Sequence, residues 1–138
     1  MRNLLAAAAF AVLPGLALAQ DSVFKSYDSY ERFVETVIKT RDFKQLITRL
    51  GGRDEYTPEQ LHSAQGRLQS IYPRDFTGSG LAVRQQLMNG FSKEVRIYWN
   101  DATLSYCYYY AFLHDQGDAV VVLKFDLNTN SDVIFGKL

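Results

Sequence analysis

The apolar residues change period at Pro73, and this constrains the fold more than any other feature of the chain. Before Pro73, apolar side chains recur at the three-and-four spacing of a helix face. After it they alternate, and β-branched and aromatic residues dominate. Helices followed by strands is the order of an α+β domain, in which an antiparallel sheet carries its helices on one face.

Three helices are expected. The first is predicted to be capped by Asp28, with Glu31 reaching back from three residues on, and to place Tyr30, Phe33, Val34 and Val37 on one face. The second opens at Asp42, carries Phe43, Leu46, Ile47 and Leu50, and stops at Gly51-Gly52, where a left-handed backbone is tolerated. Thr57-Pro58-Glu59-Gln60 announces the third with a hydroxyl cap, a proline at the first helical position and a capping-box Gln. Leu61, Ala64, Leu68 and Ile71 are expected to line its buried face until Pro73 ends it. Helices this short are not stable alone, so all three need a surface to lie on.

The second half supplies that surface. Residues 82–88, 93–99, 103–113, 119–127 and 133–135 read as strands. The turns between the later ones are so short that neighbours must pair antiparallel. The expected architecture is N-terminal amphipathic helices packed on a C-terminal four- or five-stranded antiparallel meander. Val121, Leu123, Phe125 and Leu127 share one side of their strand and are expected to face Phe33, Val37, Leu46, Leu61 and Leu68. Val95, Ile97 and Trp99 share a side of theirs. Leu104, Tyr106, Tyr108, Tyr110 and Phe112 oppose Thr103, Ser105, Cys107, Tyr109, Ala111 and Leu113. Both of these sides are largely apolar, which predicts a central strand covered on both faces or curved around a cavity.

The first nineteen residues read as an address. Arg2 precedes an apolar run over 4–13, Pro14-Gly15 break it, and Ala17-Leu18-Ala19 end it in small residues, which predicts a secretory signal peptide cut before Gln20. The run is shorter than the ~20 residues of a membrane span. The expected organisation is a signal peptide over 1–19 and a single α+β domain over 20–138, secreted or periplasmic, soluble once cut and without a membrane span. The 15 basic and 15 acidic side chains balance and the basic ones are scattered singly, so nothing draws the chain to nucleic acid or an anionic membrane. Cys107 is the only cysteine, so no internal disulfide can form. Lying between Tyr106 and Tyr108 with no cationic neighbour, it reads as a buried, unreactive thiol.

An export signal, amphipathic helices and then a long antiparallel meander resemble small exported members of the NTF2-like superfamily, with cystatin-like domains a looser parallel. The resemblance implies a sheet that wraps its helices as a cone, a ligand pocket at the cone's mouth, and a homodimer formed through the sheet. The chain departs from that pattern in lacking clear strands between its second and third helices.

Chemistry concentrates in the aromatic strands. Tyr98, Trp99, Tyr106, Tyr108 and Tyr110 are the candidate ligand-binding residues, because few-rotamer rings with hydroxyls can orient a small apolar ligand or a protein partner. The same rings would also serve as cross-strand pairs worth roughly 0.2–1 kcal/mol each. His62 and His114 sit in no motif and read as surface residues. Thr77-Gly78-Ser79-Gly80 lacks the spacing of a nucleophile elbow. The segment from Asp126 to Asp132 opens like a calcium loop, but Ser131 replaces its glycine and Lys137 its bidentate glutamate, so it reads as a polar turn. No zinc set and no phosphate loop is present, and no cofactor, metal or catalytic residue is assigned.

Two functions follow. The first is an exported, non-catalytic binding or accessory module that holds a small apolar ligand or a protein partner at the aromatic sheet. The second, implied by the resemblance, is a small enzyme acting on a carbonyl compound through tyrosine and a carboxylate such as Asp101. The first is preferred because the sequence places no base among the rings.

Overall fold

Four strands run as an antiparallel meander, and a short fifth strand from near the start of the described residues pairs with one end of the far edge. The computed structural model describes residues 21–52 and 55–138; the expected signal peptide and its cleavage site lie outside the described residues. In chain order the elements are β1 (Val23–Phe24), α1 (Tyr27–Lys39), α2 (Phe43–Ile47), α3 (Pro58–Ile71), β2 (Gly78–Gln86), β3 (Phe91–Asn100), β4 (Ser105–Asp115), β5 (Val120–Asn128) and α4 (Ser131–Phe135). The sheet order is β1-β5-β4-β3-β2 with every pair antiparallel. The fold is therefore α+β, helices on a five-stranded sheet, as the change of period at Pro73 implied. Among the described residues no helix is long and apolar enough to cross a membrane.

The helix boundaries follow their caps. Asp42 accepts from the Gln45 N–H, and Thr57 with Gln60 forms the expected capping box ahead of Pro58. After α2 the chain widens into a turn over Thr48–Gly52, and Gly51 takes φ +98°, the left-handed value anticipated for it. The first helix starts earlier than expected. Its cap is Ser26, paired reciprocally with Ser29, so Asp28 lies inside the first turn. There its carboxylate favours the helix N-terminus without capping it.

The fifth strand is not residues 133–135. Asn130 accepts from the Asp132 N–H and starts α4 there instead, while Val23 and Phe24 pair with Val121 and Val120. The α4 segment folds back over the outer face of the sheet. Ile134, Phe135 and Leu138 pack on Val95, Tyr108, Tyr110 and Phe112, so β4 is covered on both sides. Lys137 anchors this tail through an ion pair with Asp126 at 3.1 Å, and its carbonyl accepts from Lys93 Nζ at 3.1 Å.

The main core lies between the other face and the helices. Tyr30, Val34, Val37 and Ile38 of α1 and Phe43 and Leu46 of α2 pack on Cys107, Tyr109, Ala111 and Leu113 of β4. Of the expected helix contacts, Val37 and Leu46 are buried in this core, Phe33 and Leu68 lie on its margin, and Leu61 is buried outside it; Ile71, expected on the buried face of α3, is 46% exposed. On β5 the expected facing fails at Val121 and Leu123. Register shifts between Phe112 and Leu113, so Leu113 pairs with Val122 and Phe112 with Lys124, leaving Leu123 as an extra residue. A bulge of this kind reverses the alternation. Val120 and Val122 face the core before it, Phe125 and Leu127 reach it after, and Leu123 is 48% exposed.

Candidate functional site

On β3 the apolar side, Val95, Ile97 and Trp99, turns away from the helices. The side that meets them is polar: Ser92, Glu94, Arg96, Tyr98 and Asn100 are all buried. Pairing fixes this facing, because Tyr98 opposes Cys107 and Arg96 opposes Tyr109, both core residues of β4. A charged pair is thereby carried into the interior beneath α1.

Glu94 is completely buried and its carboxylate is the hub. Tyr30 Oη donates to Oε1 at 2.8 Å, Tyr27 Oη to Oε2 at 2.7 Å, and Arg96 Nε to Oε1 at 3.0 Å. Arg96 Nη2 also donates to Tyr27 Oη at 2.6 Å and reaches Glu31 Oε1 at 3.1 Å. With its own proton committed to Glu94, Tyr30 accepts from Tyr109 Oη at 3.0 Å. The Arg84 guanidinium lies 4.0 Å from the centre of the Tyr27 ring, a cation–π contact at the margin of the cluster.

The electrostatics keep these groups in the forms that the hydrogen bonds require. Burial, and then the hydrogen bond to Glu94, push the Tyr27 hydroxyl up to about 12. Burial likewise holds Tyr30 and Tyr109 well above the usual tyrosine range, so all three remain donors. For Arg96, burial works against the charge, but the adjacent Glu94 outweighs it and the net shift is upward. Donors and acceptors thus match one another around the buried Glu94 carboxylate, and the arrangement fastens α1 to β3 and β4.

Among the described residues, Arg84 Nε and Tyr98 Oη are the buried side-chain polar atoms without a hydrogen-bond partner. The contrast between Tyr98 and Tyr30 gives a direct test. Tyr98→Phe removes an unsatisfied hydroxyl and is expected to leave stability unchanged or raise it by about 1 kcal/mol. Tyr30→Phe removes a bond to a charged acceptor and is expected to cost about 1.5–3 kcal/mol. Paired denaturant melts measure both, and equal losses would show that Tyr98 Oη is satisfied in solution.

The five candidate ligand-binding residues divide between the two faces. Trp99, Tyr106, Tyr108 and Tyr110 share the outer face, with Trp99 directly opposite Tyr106 and Ile97 opposite Tyr108. Tyr98 lies on the helix side, fully buried against Phe76. Tyr110 is covered by α4, and Tyr108 meets Phe135 edge-on at 6.4 Å. Beyond the reach of α4 the face stays open, with Tyr106 47% and Leu104 71% exposed.

Local structure holds this open end in place. Asn100 pins the β3–β4 turn, its Oδ1 accepting from the Ala102 and Thr103 N–H groups and its Nδ2 donating to the Asp75 carbonyl. The turn ends at Leu104, held at φ +55°. A bulky residue in the left-handed region is strained, and such strain gathers at functional surfaces. Gly78 lies opposite Trp99, and a Cβ there would overlap the indole, so the ring lies against bare β2 backbone.

His62 is exposed on α3, and His114 stacks on Phe91 at 3.9 Å while its Nε2 lies 3.1 Å from the Asn89 carbonyl. Asp101 is exposed in the β3–β4 turn and accepts from Thr77 Oγ1 at 2.9 Å; the carboxylate that lies among tyrosines is Glu94. Asn128 and Asn130 spend their side-chain oxygens on nearby backbone N–H groups, the geometry of a polar turn. Burial pushes the Cys107 thiol up to about 12 despite its hydrogen bond with Tyr72. Among the described residues no three His, Cys, Asp or Glu side chains gather as metal ligands.

The chain matches no protein-family model, no curated protein and no solved structure.

Sequence reasoning missed the Glu94 cluster. Its signal was available: Ser92, Glu94, Arg96, Tyr98 and Asn100 form an unbroken polar set on one side of a strand whose other side is apolar but for Lys93. In α1, Tyr27, Tyr30, Glu31 and Val34 fall on one helical stripe.

Proposed function

We propose that the protein is an exported, non-catalytic binding or accessory module, and that it recognises a small apolar ligand or a protein partner at the open end of its outer sheet face. The observation that carries this reading is the pairing of Trp99 with Tyr106 just beyond the cover of α4, beside the exposed and strained Leu104. Aromatic rings on a rigid sheet contribute contact area at small entropic cost. The apolar run and Ala17-Leu18-Ala19 support export. A homodimer through the sheet would use this same open end, because α4 occupies the face around Tyr110.

The enzyme alternative of NTF2-like kind has one observation in its favour, the contact of Glu94 with Tyr27 and Tyr30. A base must reach its substrate, however, and Glu94 is sealed by its own partners. Native mass spectrometry of protein recovered from the exported fraction, with pull-down for macromolecular partners, would identify what is held. Tyr106→Ala should then weaken binding at least about tenfold while His62→Ala and His114→Ala leave it unchanged. Turnover that a histidine change abolishes and Tyr106→Ala spares would overturn the proposal in favour of the enzyme.

A further inference from the structure

We infer that α4 is a releasable strap, an internal cover that keeps Val95, Tyr108 and Tyr110 out of the recognition face until it lifts from the sheet. That the uncovered face takes a partner rests on the function proposed above; the lifting itself does not.

The outer face is one surface, part covered and part open. Along β3 and β4, Val95 opposes Tyr110, Ile97 opposes Tyr108 and Trp99 opposes Tyr106, one pair after another on the same side of the sheet. The strap covers the first pair and meets the second where Phe135 lies edge-on against Tyr108. Beyond it the third pair stays open. Apolar strips of this length are rarely left bare in water, and here the chain's own Ile134, Phe135 and Leu138 cover part of one.

The cover can leave without disturbing the rest of the fold. Ile134, Val95 and Tyr110 form a cluster of their own, which the sheet separates from the main core beneath the helices. Among the α4 side chains only Ile134 is fully buried, and Val133 is 43% exposed. Polar ties assist, the ion pair of Lys137 with Asp126 and the bond from Lys93 Nζ to the Lys137 carbonyl. Both members of the pair meet water, where such ties contribute little. With five residues, α4 cannot persist as a helix once undocked, so its docking and its folding are lost together. The link to β5 serves as a hinge that closes on itself: Asn128 Oδ1 accepts from the Asn130 N–H, and Asn130 Oδ1 from the Asp132 N–H. An element held by one buried side chain and exposed ties opens well before the core does. A partner that reaches Tyr108 and Tyr110 therefore binds only the open fraction, and its apparent affinity is reduced by that fraction.

Thiol labelling of the full chain with N-ethylmaleimide tests the strap. Cys107 lies in the main core on the opposite side of the same sheet and serves as the reference. Val95→Cys adds a thiol of similar size in the cluster that Ile134 closes. The added thiol is expected to react at least about tenfold faster than Cys107, and with a shallower dependence on urea because less surface is exposed in the opening. Val122→Ala, which loosens the main core and not the strap, should speed Cys107 about tenfold or more and leave the added thiol unchanged. Reaction of both thiols at one rate, with one urea dependence and one response to Val122→Ala, would overturn the inference, since α4 would then leave only when the whole chain unfolds. Should Val95→Cys not fold, exchange of the Gly136 N–H against the amides of β4 makes the same comparison in the unaltered protein. Ile134→Asp should hold the strap off and bind the dye anilinonaphthalene sulfonate at least about tenfold more tightly than the unaltered chain, an increase that Tyr108→Ala removes. Dye binding no tighter than in the unaltered chain would overturn the inference as well. Neither readout depends on Trp99 or Tyr106, so failure of the recognition reading would leave both standing.

Discussion

Glu94→Ala is expected to cost about 3–5 kcal/mol of folding stability, because removing one partner of a buried ion pair strands the other. Here the stranded group is Arg96, 4% exposed, together with the hydroxyls of Tyr27 and Tyr30. Glu31 would retain part of the guanidinium, but the Tyr30 hydroxyl would lose the Glu94 Oε1 acceptor it now has. Replacing both charges at once, Glu94→Leu with Arg96→Met, should be less damaging than Glu94→Ala alone, since no unpaired ion is then left inside. Urea melts of the three proteins supply the comparison. A loss below about 1 kcal/mol for Glu94→Ala would mean that water reaches the pair and that the cluster is not sealed.

The second large effect discriminates neighbouring residues on β5. Val122→Asp places an unpaired carboxylate in the main core and is expected to cost more than about 4 kcal/mol or to prevent folding. Leu123→Asp, one residue on, should change stability by no more than about 0.5 kcal/mol. Val122 is 4% exposed and Leu123 48%, and the bulge opposite Phe112 and Leu113 separates them. A ranking in the opposite order would place the bulge elsewhere and restore unbroken alternation.

That bulge also marks a limit of what can be read from the sequence. The alternation of residues 119–127 correctly announces a strand, and Phe125 and Leu127 do reach the core. Nothing in Val120-Val121-Val122-Leu123 tells where an inserted residue falls, because all four are apolar and either parity buries two of them. The fourth helix was hidden for a similar reason. Val133, Ile134 and Phe135 favour a strand by type, and only the cap at Asn130 and the tie between Lys137 and Asp126 turn them into a helix. Capping chemistry, by contrast, is local, so Thr57-Pro58-Glu59-Gln60 and Asp42 could be read directly.

The site was legible in the same uneven way. The strand periodicity placed Tyr106, Tyr108 and Tyr110 on one face, as they are. Tyr98 and Trp99 are adjacent in sequence and so point to opposite faces, one into the helices and one outward. The polar side of β3 was obscured because a buried Glu94 is acceptable only when Tyr27, Tyr30 and Arg96 converge on it. These four residues come in pairs from two elements more than sixty positions apart, a relation that no local spacing reveals.

Trp99 is the only tryptophan, so its emission reports on the proposed recognition face alone. The most direct measurement is collisional quenching of Trp99 by acrylamide, before and after addition of the ligand or partner found by native mass spectrometry. The indole is expected to be quenched in the free protein, shielded when the complex forms, and shielded equally in Glu94→Gln. Quenching unchanged on complex formation, with binding lost in Glu94→Gln, would contradict this expectation and move recognition to the buried cluster.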